Sequence, residues 1–193
     1  MQLTGFKKIK TAVFISGTGS NLKNLIKFSK IKISPISIDL IISDNSKAKG
    51  LSYGKIFKIK KKIFNFKKKN QTEKKIISEL KKDKIKLICL AGFMKIISKN
   101  FIKDFKNQVL NIHPSLLPKY KGLNTHQRAI KNNEKFSGCT VHYVNSKLDS
   151  GKIILQKKVK IKKNETPTSL AKKILIQEHK LYPMAIKKIL SNP

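Results

Sequence analysis

Short apolar runs nearly free of lysine recur along a chain that otherwise uses lysine as its default polar residue, and segments with helical spacing separate them. TAVFIS (11–16) reads as a buried strand, NLKNLIKFSK (21–30) as a helix and PISIDLIIS (35–43) as a strand. QTEKKIISELKK (71–82) places Ile76, Ile77 and Leu80 on one helical face. KLICLAGF (86–93) is the next strand, a short helix lies near 98–105, and a further strand ends at VLNIH (109–113). Such alternation requires a parallel sheet joined by right-handed crossovers. Beyond residue 137, GCTVHYVN and KIILQKKVKI read as strands joined by the turn SKLDSGK, and Thr166 caps a last helix with Pro167 at its first position. The expected fold is α/β and Rossmann-like: a mostly parallel twisted sheet with helices on both faces and antiparallel strands added in the C-terminal half. It forms one domain over residues 1–193. The segment 55–71, KIFKIKKKIFNFKKKNQ, has no clear period but enough Ile and Phe to pack.

Charge is the loudest compositional feature: 44 Lys+Arg against 10 Asp+Glu, a formal net of +34. Lysines that neutralise phosphates would suit a nucleic-acid binder. Yet Arg128 is the only arginine, so the forked donor suited to bases and phosphates is nearly absent, and the lysines are spread over every element. Codon bias in an A/T-rich genome explains them, with no specific nucleic acid as partner. The 39% of hydrophobic residues excludes a disordered basic tail. No run of membrane-spanning length occurs and MQLTGFKKIK has no leader-like apolar region, so a cytoplasmic chain with no membrane partner is expected. Cys89 and Cys139 sit in separate strand-like runs without ligand spacing, which points to reduced core thiols and no metal.

Four features carry candidate chemistry. SGTGSN (16–21) follows the first strand and opens a helix, where backbone amides and the helix dipole favour an anion. Leu22 replaces the third glycine of a dinucleotide fingerprint, so a single phosphate fits better than a dinucleotide, and a plain turn capped by Ser20 or Asn21 fits equally well. Asn111 and His113, two apart on a strand, project from one face, and Pro114 ends the pairing there. An amide beside an imidazole can stabilise an oxyanion and move a proton, although a hydrogen-bonded structural histidine is the plainer alternative. Asp149, in SKLDSGK, is either a turn residue or the partner that orients His113 and raises its pKa. Glu178 falls on the inward stripe of the last helix with Ala171, Ile174, Leu175, Leu181, Tyr182 and Ala185, so it needs a polar partner.

SGTGSN, LAGFMKIIS, NIHPSLLPKYKG, SGCTVHYVNSKLDSGKIILQKKV and QEHKLYP, in this order and spacing, resemble the phosphoribosylglycinamide formyltransferase family over about residues 9 to 190. The resemblance implies transfer of a formyl group from the co-substrate 10-formyltetrahydrofolate to glycinamide ribonucleotide, without a metal or a covalent enzyme intermediate. It implies that Asn111 and His113 stabilise the oxyanion, that His113 donates a proton and that Asp149 raises its pKa. It assigns the ribotide to Gly19, Ser20, Asn21 and Glu178, and the folate to Lys69, Met94, Lys95, Ile96, Ile97, Asn111, Asn145 and Asp149, with His142 near the same cleft. Lys69 and Lys95 stand where relatives use arginine, and Asn124 where many carry histidine. The resemblance leaves a monomer or a homodimer open. Methionyl-tRNA formyltransferase and formyltetrahydrofolate deformylase share the scaffold but carry further domains, and a non-enzymatic nucleic-acid-binding domain rests on charge alone.

Overall fold

The computed structural model describes residues 7–191; residues 1–6, which belong to the stretch read as lacking a leader, lie outside the described residues. The strands are β1 (Ile9–Ile15), β2 (Ile36–Ser43), β3 (Lys60–Ile63), β4 (Leu87–Leu90), β5 (Gln108–His113), β6 (Phe136–Tyr143) and β7 (Ile153–Lys160). They form one seven-stranded sheet in the order β3-β2-β1-β4-β5-β6-β7. The first five pair parallel, and β6 and β7 join antiparallel, as the sequence implies. The helices are α1 (Ser20–Ser29), α2 (Ser52–Ile56), α3 (Lys69–Lys82), α4 (Lys99–Phe105), α5 (Thr125–Lys131) and α6 (Pro167–Leu190).

Alternation along β1 explains the two-sided core. Val13 and Ile15 join Leu22, Leu25 and Ile26 of α1 and Ile174, Tyr182 and Ala185 of α6. Ala12 and Phe14 point the other way, to Ile76 and Leu80 of α3 and Phe101 and Phe105 of α4. A strand buried on both faces reads as a continuous apolar run, which is why β1, β2 and β4 stand out against the lysines. Cys89 and Cys139 are buried and free; burial pushes both thiols up to about 12.

Segment 55–71 is more regular than its composition suggests. It completes α2, forms β3 and begins α3. All four β3 residues are exposed, so the strand exists through its backbone pairing with β2, Leu40 opposite Lys60 through Ser43 opposite Ile63. Lys60 meets Asp83 at 2.7 Å and Glu79 at 3.1 Å, tying β3 to α3. At the far end Thr166 caps α6 by accepting from the Ser169 amide, with Pro167 at the start as expected.

Candidate active site

From β1 the chain runs outward to β2 and β3, then returns to the other side of β1 as β4, so the strand order switches between β1 and β4. Open sheets of this kind bind ligands beyond the strand ends at that switch. A cleft of about 880 Å³ lies there, lined by the loops after β4, β5 and β6 and by residues of α1, α5 and α6. Asn21, Met94, Lys95, Ile96, Ile97, Asn111, His113, His142, Asn145, Asp149 and Glu178 all line it. The structure therefore brings together residues from five separate stretches of sequence.

Strand register assembles the polar centre. Antiparallel pairing sets Asn111 opposite His142, and the Asn111 amide nitrogen lies 3.2 Å from His142 Nε2. His142 Nδ1 is 2.8 Å from the Tyr143 carbonyl, so Nδ1 carries the proton and Nε2 accepts from Asn111. Asp149 reaches four groups. Its Oδ2 accepts from the Gly122 backbone amide at 2.9 Å and lies 3.4 Å from His113 Nδ1. Its Oδ1 accepts from Asn111 Nδ2 at 3.4 Å and lies 3.7 Å from His142 Nε2. Asp149 is thus no simple turn residue, although its own φ of 45° is left-handed. The turn depends on Gly151, where a Cβ would stand 1.6 Å from the Tyr143 carbonyl oxygen.

His113 is held at both ring nitrogens. Nε2 donates to the Tyr120 carbonyl at 2.9 Å, which leaves Nδ1 facing Asp149. Burial lowers its pKa, while the Tyr120 carbonyl and the Asp149 carboxylate pull it up. Asp149 acts in the expected direction, but burial outweighs it and the net shift is downward. Burial pushes the Asp149 carboxyl up, yet the His142 ring, the Gly122 amide and His113 together hold it below the usual carboxylate range.

Asn21 and Glu178 form the second polar end of the cleft. The Asn21 amide donates to Glu178 Oε2 at 2.7 Å across 157 residues of sequence, and both side chains are buried. Burial raises the Glu178 pKa against the opposing pull of this bond, and Asn21 Oδ1 has no partner among the described residues. Gly19, not Ser20 or Asn21, occupies the helix cap position, with φ 73° and no side-chain cap bond. A Cβ there would stand 2.8 Å from the Gly50 Cα, so the turn and the packing both demand glycine. Gly19 and Ser20 do not themselves line the cleft, but their backbone opens α1 beside Asn21.

Much of the remaining wall is apolar. Leu90, Phe93, Met94, Ile96, Ile97, Val144 and Leu148 line it, and Met94, Ile96 and Leu148 are each about half or more exposed. Ser16 fixes the loop after β4: it donates to Asp44 at 2.5 Å and accepts from the Met94 amide at 2.8 Å. Lys95 lies 3.8 Å from Asp44. Lys69 is not brought to the cleft; it opens α3 instead. His126 of α5 does line it, and its buried Nδ1 has no hydrogen-bond partner among the described residues. His126 leaves no signal in the sequence, because α5 is short and has no apolar stripe. Among the described residues no group of three or more His, Cys, Asp or Glu is arranged to hold a metal ion.

A side-chain amide, a buried histidine and an aspartate held in its ionised form meet at the centre of the cleft, an arrangement suited to a group-transfer enzyme. The chain belongs to the formyl transferase family, whose profile matches residues 9–186. It is 40% identical over 181 residues to phosphoribosylglycinamide formyltransferase of Haemophilus influenzae, covering 92% of this chain and 85% of that protein. It is 38% identical over 188 residues to the human trifunctional purine biosynthetic protein adenosine-3, covering 96% of this chain but only 19% of that protein. It therefore spans about a fifth of its trifunctional animal relatives. Among solved structures, phosphoribosylglycinamide formyltransferase of Anaplasma phagocytophilum superposes with TM-score 0.91 at 39% identity, covering 96% of this chain and 88% of that one. The Brucella melitensis enzyme superposes with TM-score 0.91 at 38% identity, covering 97% and 98%.

Proposed function

We propose that the chain transfers the formyl group of 10-formyltetrahydrofolate to the amine of N1-(5-phosphoribosyl)glycinamide, a step of purine biosynthesis. The observation that carries this reading is the Asn111, His113 and Asp149 cluster, set between a polar end at Asn21 and Glu178 and an apolar wall at Met94 to Ile97. The apolar wall suits the flat pterin, and Asn145 and Lys95 supply polar groups at its edge. The amides of Gly19, Ser20 and Asn21 at the start of α1 suit the ribotide phosphate. Glu178 accepts from the ribotide, and the unpartnered Asn21 Oδ1 beside it is a further acceptor.

The chemistry follows from the geometry. The ribotide amine attacks the formyl carbon, a C–N bond forms, and the carbonyl oxygen becomes an oxyanion. Asn111 Nδ2 makes a 3.4 Å contact with Asp149 that is long enough to be exchanged for the oxyanion. Because Tyr120 holds Nε2, His113 Nδ1 is the nitrogen available for proton transfer, and Asp149 stabilises the imidazolium that forms there. The C–N bond to folate N10 then breaks, N10 takes a proton, and the amine has lost one. Holding both substrates in one cleft supplies much of the rate.

The test is an assay of purified protein with both substrates, following the folate product spectroscopically. Formyl transfer to the ribotide supports the assignment. No transfer to it, with transfer to another amine or simple hydrolysis of the formyl group, refutes it.

A further inference from the structure

Arg128 is the only arginine among 44 basic residues, and its guanidinium is engaged through one terminal nitrogen and one face. Nη1 donates to the Lys121 carbonyl at 2.7 Å and to the Leu123 carbonyl at 3.3 Å. The guanidinium also lies over the Tyr120 ring, 5.2 Å from its centroid. These contacts fall on the segment that touches both central side chains, since Tyr120 gives its carbonyl to His113 and Gly122 gives its amide to Asp149. Arg128 grips the residue between them and the one that follows.

The segment needs a grip. Tyr120 has φ 56°, a left-handed conformation that a bulky residue keeps only where its surroundings hold it there. Gly122 has φ 76° and Asn124 φ 58°, so three left-handed residues occur within five positions. Glu134 and Asn132 hold the Tyr120 hydroxyl at 2.8 and 3.0 Å, anchoring the ring under the guanidinium. A lysine could supply the charge and donors, but not a planar group that stacks on the Tyr120 ring while one of its nitrogens bonds both carbonyls.

We propose that Arg128 is a positioning residue for formyl transfer: by clamping residues 120–123 it presents the Tyr120 carbonyl to His113 and the Gly122 amide to Asp149. It thereby fixes which nitrogen of His113 carries the exchangeable proton. This rests on the function proposed above, and the test separates the two.

Arg128→Lys keeps the charge and removes the fork; Arg128→Ala removes both. In Arg128→Lys, kcat falls about ten- to a hundredfold, as misplacement of a reacting group allows, with little change in either KM. An NMR titration of the histidine rings supplies the independent readout. The groups facing His113 are Asp149 from the β6–β7 turn, His142 from β6, His126 and Arg128 from α5, and the Tyr120 carbonyl. Losing the Tyr120 bond shifts the His113 midpoint downward in Arg128→Lys, whose retained charge leaves the direct push of residue 128 in place. His179, on α6, does not move and serves as the control. Wild-type kcat and an unmoved His113 titration in Arg128→Lys overturn the proposal. So does a fall in kcat with an unmoved His113. If the wild type transfers no formyl group but the His113 midpoint still moves in Arg128→Lys, the clamp stands and the assigned reaction fails. Should Arg128→Ala not fold, Arg128→Lys carries the test alone.

Discussion

Asn24 on α1 donates its side-chain amide to the backbone carbonyl of His179 on α6 at 2.6 Å. Pro183, four residues beyond His179, has no N–H and leaves that carbonyl without its helical donor. A side chain from another helix has taken the vacant place. One turn earlier on α1, Asn21 reaches Glu178. Two asparagines three apart thus fasten α1 to α6 at the Glu178 end of the cleft.

Asn24→Ala leaves the His179 carbonyl unsatisfied in a partly buried contact. The expected loss is about 1–3 kcal/mol in urea unfolding, with the m-value unchanged. Replacement without a change in midpoint would show that solvent satisfies the carbonyl as well as Asn24 does.

His113→Ala and Asp149→Asn should each lower kcat by about 10²–10⁴-fold while the circular dichroism spectrum stays native. Turnover within a factor of about three of wild type in either variant, well below the usual contribution of a general acid or base, removes that residue from the proposed mechanism.

Glu178 combines a cost in stability with a proposed gain in binding. Its raised folded pKa means that stability is fullest below the unfolded value of about 4.3 and is lost as the pH rises through the folded value. Glu178→Gln escapes this loss, and its amide can also reach the orphan Asn21 Oδ1. The variant should be more stable than wild type by about 1 kcal/mol at pH 7, with the gap closing on acidification, and should bind ribotide more weakly. Lower stability at neutral pH would contradict the account of the buried carboxylate; unchanged ribotide affinity would contradict its role in binding.

Asp149 has the opposite sign. Its folded pKa is depressed, so its contribution is complete above the unfolded aspartate value of about 3.9 and is lost as the pH falls through the folded value. Denaturant unfolding from about pH 6 down to about pH 3, spanning that value, should show wild type losing stability faster than Asp149→Asn. Parallel curves would mean that the carboxylate is not favourably held.

The sequence exposes those parts of the molecule in which physics leaves a local trace. β1, β2 and β4 are legible because strands covered on both faces exclude lysine, and Glu178 because a carboxylate on an apolar stripe conflicts with its neighbours. β3 leaves no trace, since its four residues are all exposed and only Leu40 to Ser43 of β2 make it a strand. The meeting of Asn111 with His142 depends on antiparallel register, and that of His113 with Asp149 on a turn closed by Gly151. Neither is contained in local spacing; the family resemblance supplied the pairing of His113 with Asp149 and set His142 only near the same cleft. It could not supply the burial that lowers the His113 pKa, nor the arrangement of Arg128. Lys69 shows the converse, a position suggested by resemblance in a segment whose path the sequence does not determine.

The sheet ends on β3 at one side and on β7 at the other, and each edge offers backbone groups to any strand that arrives. β3 carries Lys60, Lys61 and Lys62, and β7 carries Lys157, Lys158 and Lys160. A second copy approaching edge to edge would bring its own lysines to the same line, so repulsion acts before any backbone bond can form. That barrier is screened beyond about 10 Å at 0.1 M salt but persists at the spacing of paired strands. The surplus charge, silent about chemistry, thus guards an enzyme with a long open sheet against polymerising through it.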